Sequence, residues 1–249
     1  MEKKRSGALS ALIIGLCVVA SCVCLAYGLS HFRSESTHEM TATGSASVDF
    51  ESDIIIWRGS FDATAVTSQE AYTKIKSDAD LVKGYLLKNG ISESEVIFSS
   101  VDISKTYHSI YDEFGNYVSS EEDGYQLSQG VTITSSNLDT VEKISRDISS
   151  LLDEGVELTS WSPEYYYSDL DALKLDLIDK ASQNAKERID IMAENTDATL
   201  GKLKSSNLGV FQITAKNSGT GSYSYDGAFD TSSRYKTASI TVKLSYDVK

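Results

Sequence analysis

Few residues in this chain could carry out chemistry. Of the three histidines, His31 and His38 fall in a short polar spacer, and His108 stands at a predicted hairpin. All three cysteines, Cys17, Cys22 and Cys24, lie in an apolar N-terminal stretch. No histidine in the folded part therefore has a thiol to activate. There is no H-E-x-x-H run. Gly44-Ser45-Ala46-Ser47 lacks the second glycine of a nucleophile elbow. Gly219-Thr220-Gly221 is a lone G-x-G among serines and tyrosines, far short of a dinucleotide fingerprint. Glu121-Glu122-Asp123 carries charge enough to attract calcium but lacks the alternating ligand spacing of an EF-hand, and a solvated hairpin tip accounts for it more simply. The expectation is no catalytic residue, no metal site and no cofactor site: a non-enzyme.

Tyrosine is the enrichment that matters, with 14 in the chain. An aromatic ring with a polar edge can stack on a glycan or on a neighbouring protein. Tyr165-Tyr166-Tyr167 reads first as half-buried strand. Tyr111, Tyr117, Tyr223 and Tyr225 fall in two polar, Gly-containing loops, 108–124 and 217–234, and form the candidate contact surface. Loops of that length inside a compact domain are usually functional or disordered. If the two hairpins share a sheet, their tips form one tyrosine-lined rim.

The chain that must position these groups has 249 residues and a net charge of −13. Lys3, Lys4 and Arg5 precede the apolar stretch, which leaves 20 basic and 35 acidic residues after Ser30. That excess repels phosphate backbones and argues against nucleic acid as a partner. Residues 8–29 carry no charge. As a helix they span about 33 Å, enough for a bilayer, and the basic start stays in the cytoplasm by the positive-inside rule. An uncleaved anchor is the leading reading. Val19-Ala20-Ser21-Cys22 also resembles a lipobox, with Cys22 as the lipidation point, and a cleaved signal is the third option. All three put the remainder outside the cytoplasm, at the cell surface or in the periplasm. The expected organisation is start and transmembrane segment 1–30, spacer 31–40, and folded domain 41–249.

Within the domain, Ile55, Trp57, Phe61 and Ala63 alternate with polar residues, the period of a half-buried strand. Thr67-Ser68-Gln69-Glu70 is a capping box opening a helix with Ala71, Ile75, Ala79, Val82 and Leu86 on one face. Strands over 96–107 and 125–133 pair as a hairpin. Asn137 caps a second helix, which Gly155 ends. Pro163 marks the strand at 156–167 as an edge or a bulge. A third helix runs to about Asn195, with Leu170, Leu173, Leu177, Ala181, Ala185 and Met192 near one face, and strands at 204–216 and 235–248 close the chain. The order is β-β-α-β-β-α-β-α-β-β, which predicts an α+β fold: an antiparallel or mixed sheet with helices packed on one face. Trp57 and Ile240 should point into its core.

Several of these segments resemble the SIMPL-domain family, in particular its bacterial exported branch. They are Ala42-Thr43-Gly44-Ser45-Ala46-Ser47 with Asp49-Phe50-Glu51-Ser52-Asp53, Gly124-Tyr125-Gln126-Leu127-Ser128-Gln129 with Val131, and Ser162-Pro163-Glu164-Tyr165-Tyr166-Tyr167. The long third helix, Leu200-Gly201-Lys202-Leu203 and Gly209-Val210-Phe211-Gln212-Ile213-Thr214 complete the match, which spans 41–249. The resemblance implies an α+β fold with two sheet–helix layers, an envelope location and a tendency to self-assemble, since a periplasmic member forms ring- or channel-like oligomers. It also implies protein-partner binding, as in mammalian adaptors of a signalling kinase, and a link to oxidative-stress tolerance. It supplies no catalytic residues. A retained anchor would depart from a free soluble assembly. The functional expectation is a membrane-tethered, non-enzymatic envelope scaffold that acts as a homo-oligomer or by holding a protein partner. The alternative is a small-ligand or glycan-binding module using the loop tyrosines.

Overall fold

The computed structural model describes residues 15–28, 39–219, 222 and 224–248. After helix α1 (15–28) come β1 (Glu39–Glu51), β2 (Ile54–Ala65), α2 (Ser68–Lys88), β3 (Val96–Tyr111), β4 (Tyr117–Ser135) and α3 (Leu138–Asp147). Then follow β5 (Glu157–Ser160), β6 (Glu164–Tyr166), α4 (Leu170–Asn195), β7 (Leu200–Leu208), β8 (Gln212–Ala215) and β9 (Tyr235–Val248). The class is α+β. The strands form two sheets, one of order β3-β4-β2-β5 with β6 also on β2, the other of order β1-β9-β7 with β8 also on β9. The chain divides into two compact units, one of residues 44–184 and 208–242, the other of residues 1–43, 185–207 and 243–249.

The larger unit is organised by β2. Its alternation places Ile55, Trp57, Phe61 and Ala63 in the core, with Leu127, Val131 and Ile133 of β4 beside them. The antiparallel ladder runs from Ile55↔Ser135 to Ala65↔Tyr125. Helix α2 covers this face with Ala71, Ile75, Val82 and Leu86, and α3 adds Leu138, Val141 and Ile144. The caps form as predicted. Thr67 and Glu70 make both bonds of a capping box, Asn137 accepts from Thr140 N at 3.2 Å, and Gly155 takes the left-handed conformation at φ 82°. Asp78 on α2 is buried but paired with Lys74 at 2.9 Å, and Lys74 also donates to the Gly155 carbonyl at 3.0 Å. That bond ties α2 to the end of the 3-10 helix Ile148–Glu154.

The smaller unit holds α1, β7 and the ends of β1, α4 and β9. Lys204 bridges Glu39 at 3.2 Å and Asp247 at 3.1 Å. Burial opposes its charge, yet those hydrogen bonds prevail and hold its pKa above the usual value. Thr41 and Ser245 share a hydroxyl hydrogen bond at 2.7 Å, and Arg188 donates to the Thr43 carbonyl at 3.0 Å.

Several expectations need correction. Among the described residues there are two sheets, not the single sheet that the element order predicts. The single strand expected at 156–167 is two, β5 and β6, lying end to end along β2 with Trp161-Ser162-Pro163 between them. The register changes by one residue there, because proline has no N–H to offer the ladder. The strand expected at 204–216 is likewise two, β7 and β8, separated at Gly209. A Cβ at Gly209 would stand 2.3 Å from Thr241 Oγ1, and only glycine lets the backbone pass so close. On α4 the buried line is Leu177, Ala181, Ala185, Ile189 and Ala193, while Met192 is exposed. Of the predicted 8–29 transmembrane segment, 15–28 is helical and the rest lies outside the described residues. Among the described residues no helix is long and apolar enough to cross a membrane.

Candidate functional site

The expected loop 108–124 is not a loop. The β3–β4 ladder continues through Tyr107↔Glu122, His108↔Glu121, Ser109↔Ser120 and Ile110↔Ser119 to Tyr111↔Tyr117. The stretch is polar, but Tyr107, Ile110, Tyr111, Tyr117 and Val118 favour extended backbone, and a ribbon exposed on both faces needs no apolar alternation. Its partner β2 ends at Ala65, opposite Tyr125. Beyond that point, among the described residues, β4 pairs with β3 alone, so the hairpin extends past the sheet as a two-stranded arm. At ~3.3 Å per residue its six paired positions on β3 span about 20 Å.

Gly124 sits at the root of the arm. A Cβ there would lie 2.5 Å from the Ala65 carbonyl oxygen, so glycine is required where the third strand stops. The ladder shifts register just beyond it, between Thr106 and Tyr107, as a bulge that re-aims the strands. Lys105 and Glu122 pair across the root at 2.7 Å, and each strengthens the other's charge: the Lys105 pKa is raised and the Glu122 pKa lowered, in both cases first by their hydrogen bond. His108 Nδ1 lies 3.8 Å from Asp123 Oδ2. The tip is built as firmly as the root. One Asp112 oxygen accepts from the Phe114 and Asn116 amides at 2.8 Å, and the other accepts from the Asn116 side chain at 3.0 Å. These bonds, the Asn116 side chain first, hold the Asp112 carboxyl below its ordinary range.

Tyr111 and Tyr117 meet edge-on, with ring centroids 6.3 Å apart. Around them Tyr107, Val118 and Phe114 are exposed, Phe114 at 87%. The structure thus unites two of the four tyrosines singled out from sequence. It does not meet the premise of a common rim, because β3 and β4 belong to one sheet while β8 and β9 belong to the other. Tyr225 instead borders a cavity of about 880 Å3 together with residues of β1 and β9. Tyr223 lies outside the described residues. Cys22 is exposed on α1 with Cys17 and Cys24.

The tyrosine triplet is structural. Tyr165 donates its hydroxyl to Glu142 at 3.1 Å, Tyr166 packs its ring 6.5 Å from Phe229, and Tyr167 packs 5.0 Å from Phe50. Glu164 pairs with Arg58 at 2.7 Å. The Tyr165 carbonyl accepts from Lys236 Nζ at 2.6 Å. Lys236 is 2% exposed. Burial pushes its amine down against the opposing pull of Asp230. Two residues before it in sequence, Arg234 binds Glu51 at 2.7 Å, Asp139 at 2.5 Å and Glu142 at 3.4 Å. These two cations fasten the end of the 217–234 loop to β6 and α3. Sequence reasoning missed this network, because a Ser-Arg-Tyr-Lys run beside a loop looks like ordinary surface.

A family model described as SIMPL, protein of unknown function (DUF541), matches residues 40–248. No curated protein matches the chain.

Proposed function

The chain belongs to the SIMPL family, and on that premise we propose that it is a non-enzymatic scaffold of the cell envelope that works by binding a second copy of itself through the β3–β4 arm. The observation that carries this reading is the arm itself. A lone two-stranded hairpin is marginally stable in water, and this one leaves Tyr107, Tyr111, Phe114, Tyr117 and Val118 exposed. Its outer strand, β3, ends the sheet order, so among the described residues its outer edge is unpaired. An edge strand that meets its own copy antiparallel needs a single self-complementary surface, the isologous arrangement of most homodimers. Aromatic side chains of about 150–250 Å2 each, together with the strand edge, come within reach of the ~800 Å2 per partner typical of a stable interface.

The same proposal places the folded part outside the cytoplasm on a retained anchor. Helix α1 exposes Leu16, Val18, Val19, Val23, Leu25 and Tyr27, apolar side chains that lipid would cover, and the basic residues that would stay cytoplasmic precede it. The test uses the full chain in detergent micelles, with Tyr107 to Glu121 replaced by a four-residue turn. Loop closure depends weakly on length, so the variant should fold. Light scattering should then give a discrete oligomer for the parent chain and a monomer for the variant. An unchanged oligomer, or a monomeric parent, would rule the arm out as the assembly surface.

A further inference from the structure

The cavity beside Tyr225 has the chemistry of a sugar site. Its volume of about 880 Å3 lies within the roughly 300–1,000 Å3 usual for small-ligand pockets. One wall is made by neighbouring strands: Ser45 and Ser47 on β1, Ser239 and Thr241 on β9. Each pair is two residues apart, so its hydroxyls project from one face of the sheet. Among the described residues none of these four hydroxyls has a protein hydrogen-bond partner, in contrast to Thr41 and Thr237, which are engaged by Ser245 and Asp49.

The other wall is a turn that the protein holds in place. The Gln212 side chain accepts from the Ser224 amide at 3.2 Å and the Ala228 amide at 2.7 Å, and donates to the Ser224 carbonyl at 2.7 Å. Gly227 is left-handed at φ 99°, and a Cβ there would stand 2.9 Å from the Phe211 carbonyl oxygen. Between these anchors stand Tyr225 and Asp226. Tyr225 is 95% exposed, and Asp226 makes no ion pair among the described residues. Three hydrogen bonds and a glycine thus fix a turn whose aromatic side chain stands almost fully exposed among the described residues.

A ring that stacks, a carboxylate that accepts, and a row of hydroxyls that both donate and accept match the faces of a pyranose, apolar on its C–H side and polar at its rim. Among the described residues no lysine or arginine lines the cavity, and the chain carries a net −13, so an anionic ligand would meet repulsion without a counter-charge. We propose that this cavity binds a neutral saccharide, with Tyr225 stacked on a pyranose ring, Asp226 accepting from its hydroxyls, and Ser45, Ser47, Ser239 and Thr241 lining the opposite side. The lining includes no residue of the arm.

The test titrates the full chain, held in a detergent without a sugar headgroup, with chitotriose, cellotriose, maltotriose and trigalacturonate. Saturation-transfer NMR and calorimetry are the readouts. At least one neutral trisaccharide should bind saturably below about 10 mM, and trigalacturonate should not. Tyr225→Ala should weaken that binding about tenfold, equivalent to roughly 1.4 kcal/mol, whereas Tyr225→Phe should keep it within about twofold because the stacking face remains. Both substitutions lie at an exposed position, so the melting curve should not move. Absence of saturable binding by all three neutral sugars, equal binding of trigalacturonate, or a Tyr225→Ala variant that binds normally would each overturn the proposal.

Discussion

Gly59 stands in the middle of β2, opposite Val131 on β4 and Ser160 on β5. A Cβ at this position would lie 2.6 Å from Trp57 Cη2, 2.9 Å from Trp57 Cζ2 and 3.2 Å from the Thr159 carbonyl oxygen. Carbon atoms rest at about 3.5–4.0 Å, so in Gly59→Ala the indole must retreat by about 1 Å. It has nowhere to go. Trp57 is wholly buried, and its N–H donates to Ser160 Oγ at 3.0 Å, which in turn donates to the Ser145 carbonyl at 2.9 Å. Overpacking of this kind costs about 1–3 kcal/mol, and a strained hydrogen bond adds up to about 1 kcal/mol. Gly59→Ala should therefore destabilise by roughly 2–3 kcal/mol, although alanine suits a strand no worse than glycine does. Trp57→Phe removes the two colliding atoms and should itself cost about 2–3 kcal/mol for the void and the lost bond, less than truncation to alanine. In that background Gly59→Ala should cost under ~1 kcal/mol, so the double-mutant cycle should show a coupling of at least ~1 kcal/mol. Urea unfolding of the four proteins, followed by far-UV circular dichroism, measures it. Strictly additive costs would refute the collision as the reason for glycine.

Ile240 is 4% exposed, so Ile240→Asp buries an unpaired charge at a cost of several kcal/mol, and the protein should lose its cooperative melt; a normal melt would put Ile240 on the wrong face of β9. On the acid side, Glu164 is held below the usual carboxylate range first by its hydrogen bond to Arg58, and Asp49 first by Thr237. Depressed folded values mean that the contribution is complete above the unfolded pKa of about 4 and is lost as pH falls through the lower folded values. Arg58→Met should therefore flatten stability against pH below about 4, and an acid limb of unchanged steepness would dismiss the pair. A protease applied outside cells stripped of wall or outer membrane should digest residues after Glu39 and spare α1, and protection of the whole chain would refute export. Cys22→Ala should leave mobility and lipid labelling unchanged if α1 is a retained anchor; loss of a lipid label would make the protein a lipoprotein.

The elements built on local rules were legible from sequence. Thr67 with Glu70, Asn137 and Gly155 each act within a few residues, and each does what its type and spacing predict. The alternation of β2 fixed its buried face, because a one-residue slip would have turned Trp57 and Phe61 outward. Apart from the two sheet–helix layers that the family resemblance implies, the division into two sheets was not legible. It depends on which strands pair across about 95 to 112 residues, as β2 does with β5 and β6, and no local signal reports that. The breaks at Pro163 and Gly209 show the difference. Proline announces its own missing donor, whereas Gly209 interrupts β7 and β8 only because Thr241 on a distant strand comes so close.

The arm and the cavity follow the same division. Tyr111 and Tyr117 are recognisable in the sequence as aromatic side chains without an obvious core role, yet the polarity of their stretch reads as loop where the structure has a ribbon. In a ribbon exposed on both faces the usual strand signal, apolar on every second residue, has no reason to exist. What marks such a ribbon instead is extended-chain propensity bracketed by a glycine at the root and an Asp–Asn turn at the tip: Gly124 against Ala65, and Asp112 with Asn116. The cavity left a fainter trace, in the serines and threonine that alternate along β1 and β9 at positions where a sheet covered on both faces would carry apolar residues. Ser45, Ser47, Ser239 and Thr241 keep that face polar. Gln212, the residue that sets the opposite wall, holds Ser224 and Ala228 across 12 and 16 residues of chain. A polar strand face and a pinned aromatic turn are each unremarkable alone. Their meeting around one cavity is a property of the fold, and it is the fold, not any motif, that makes a sugar the ligand to try first.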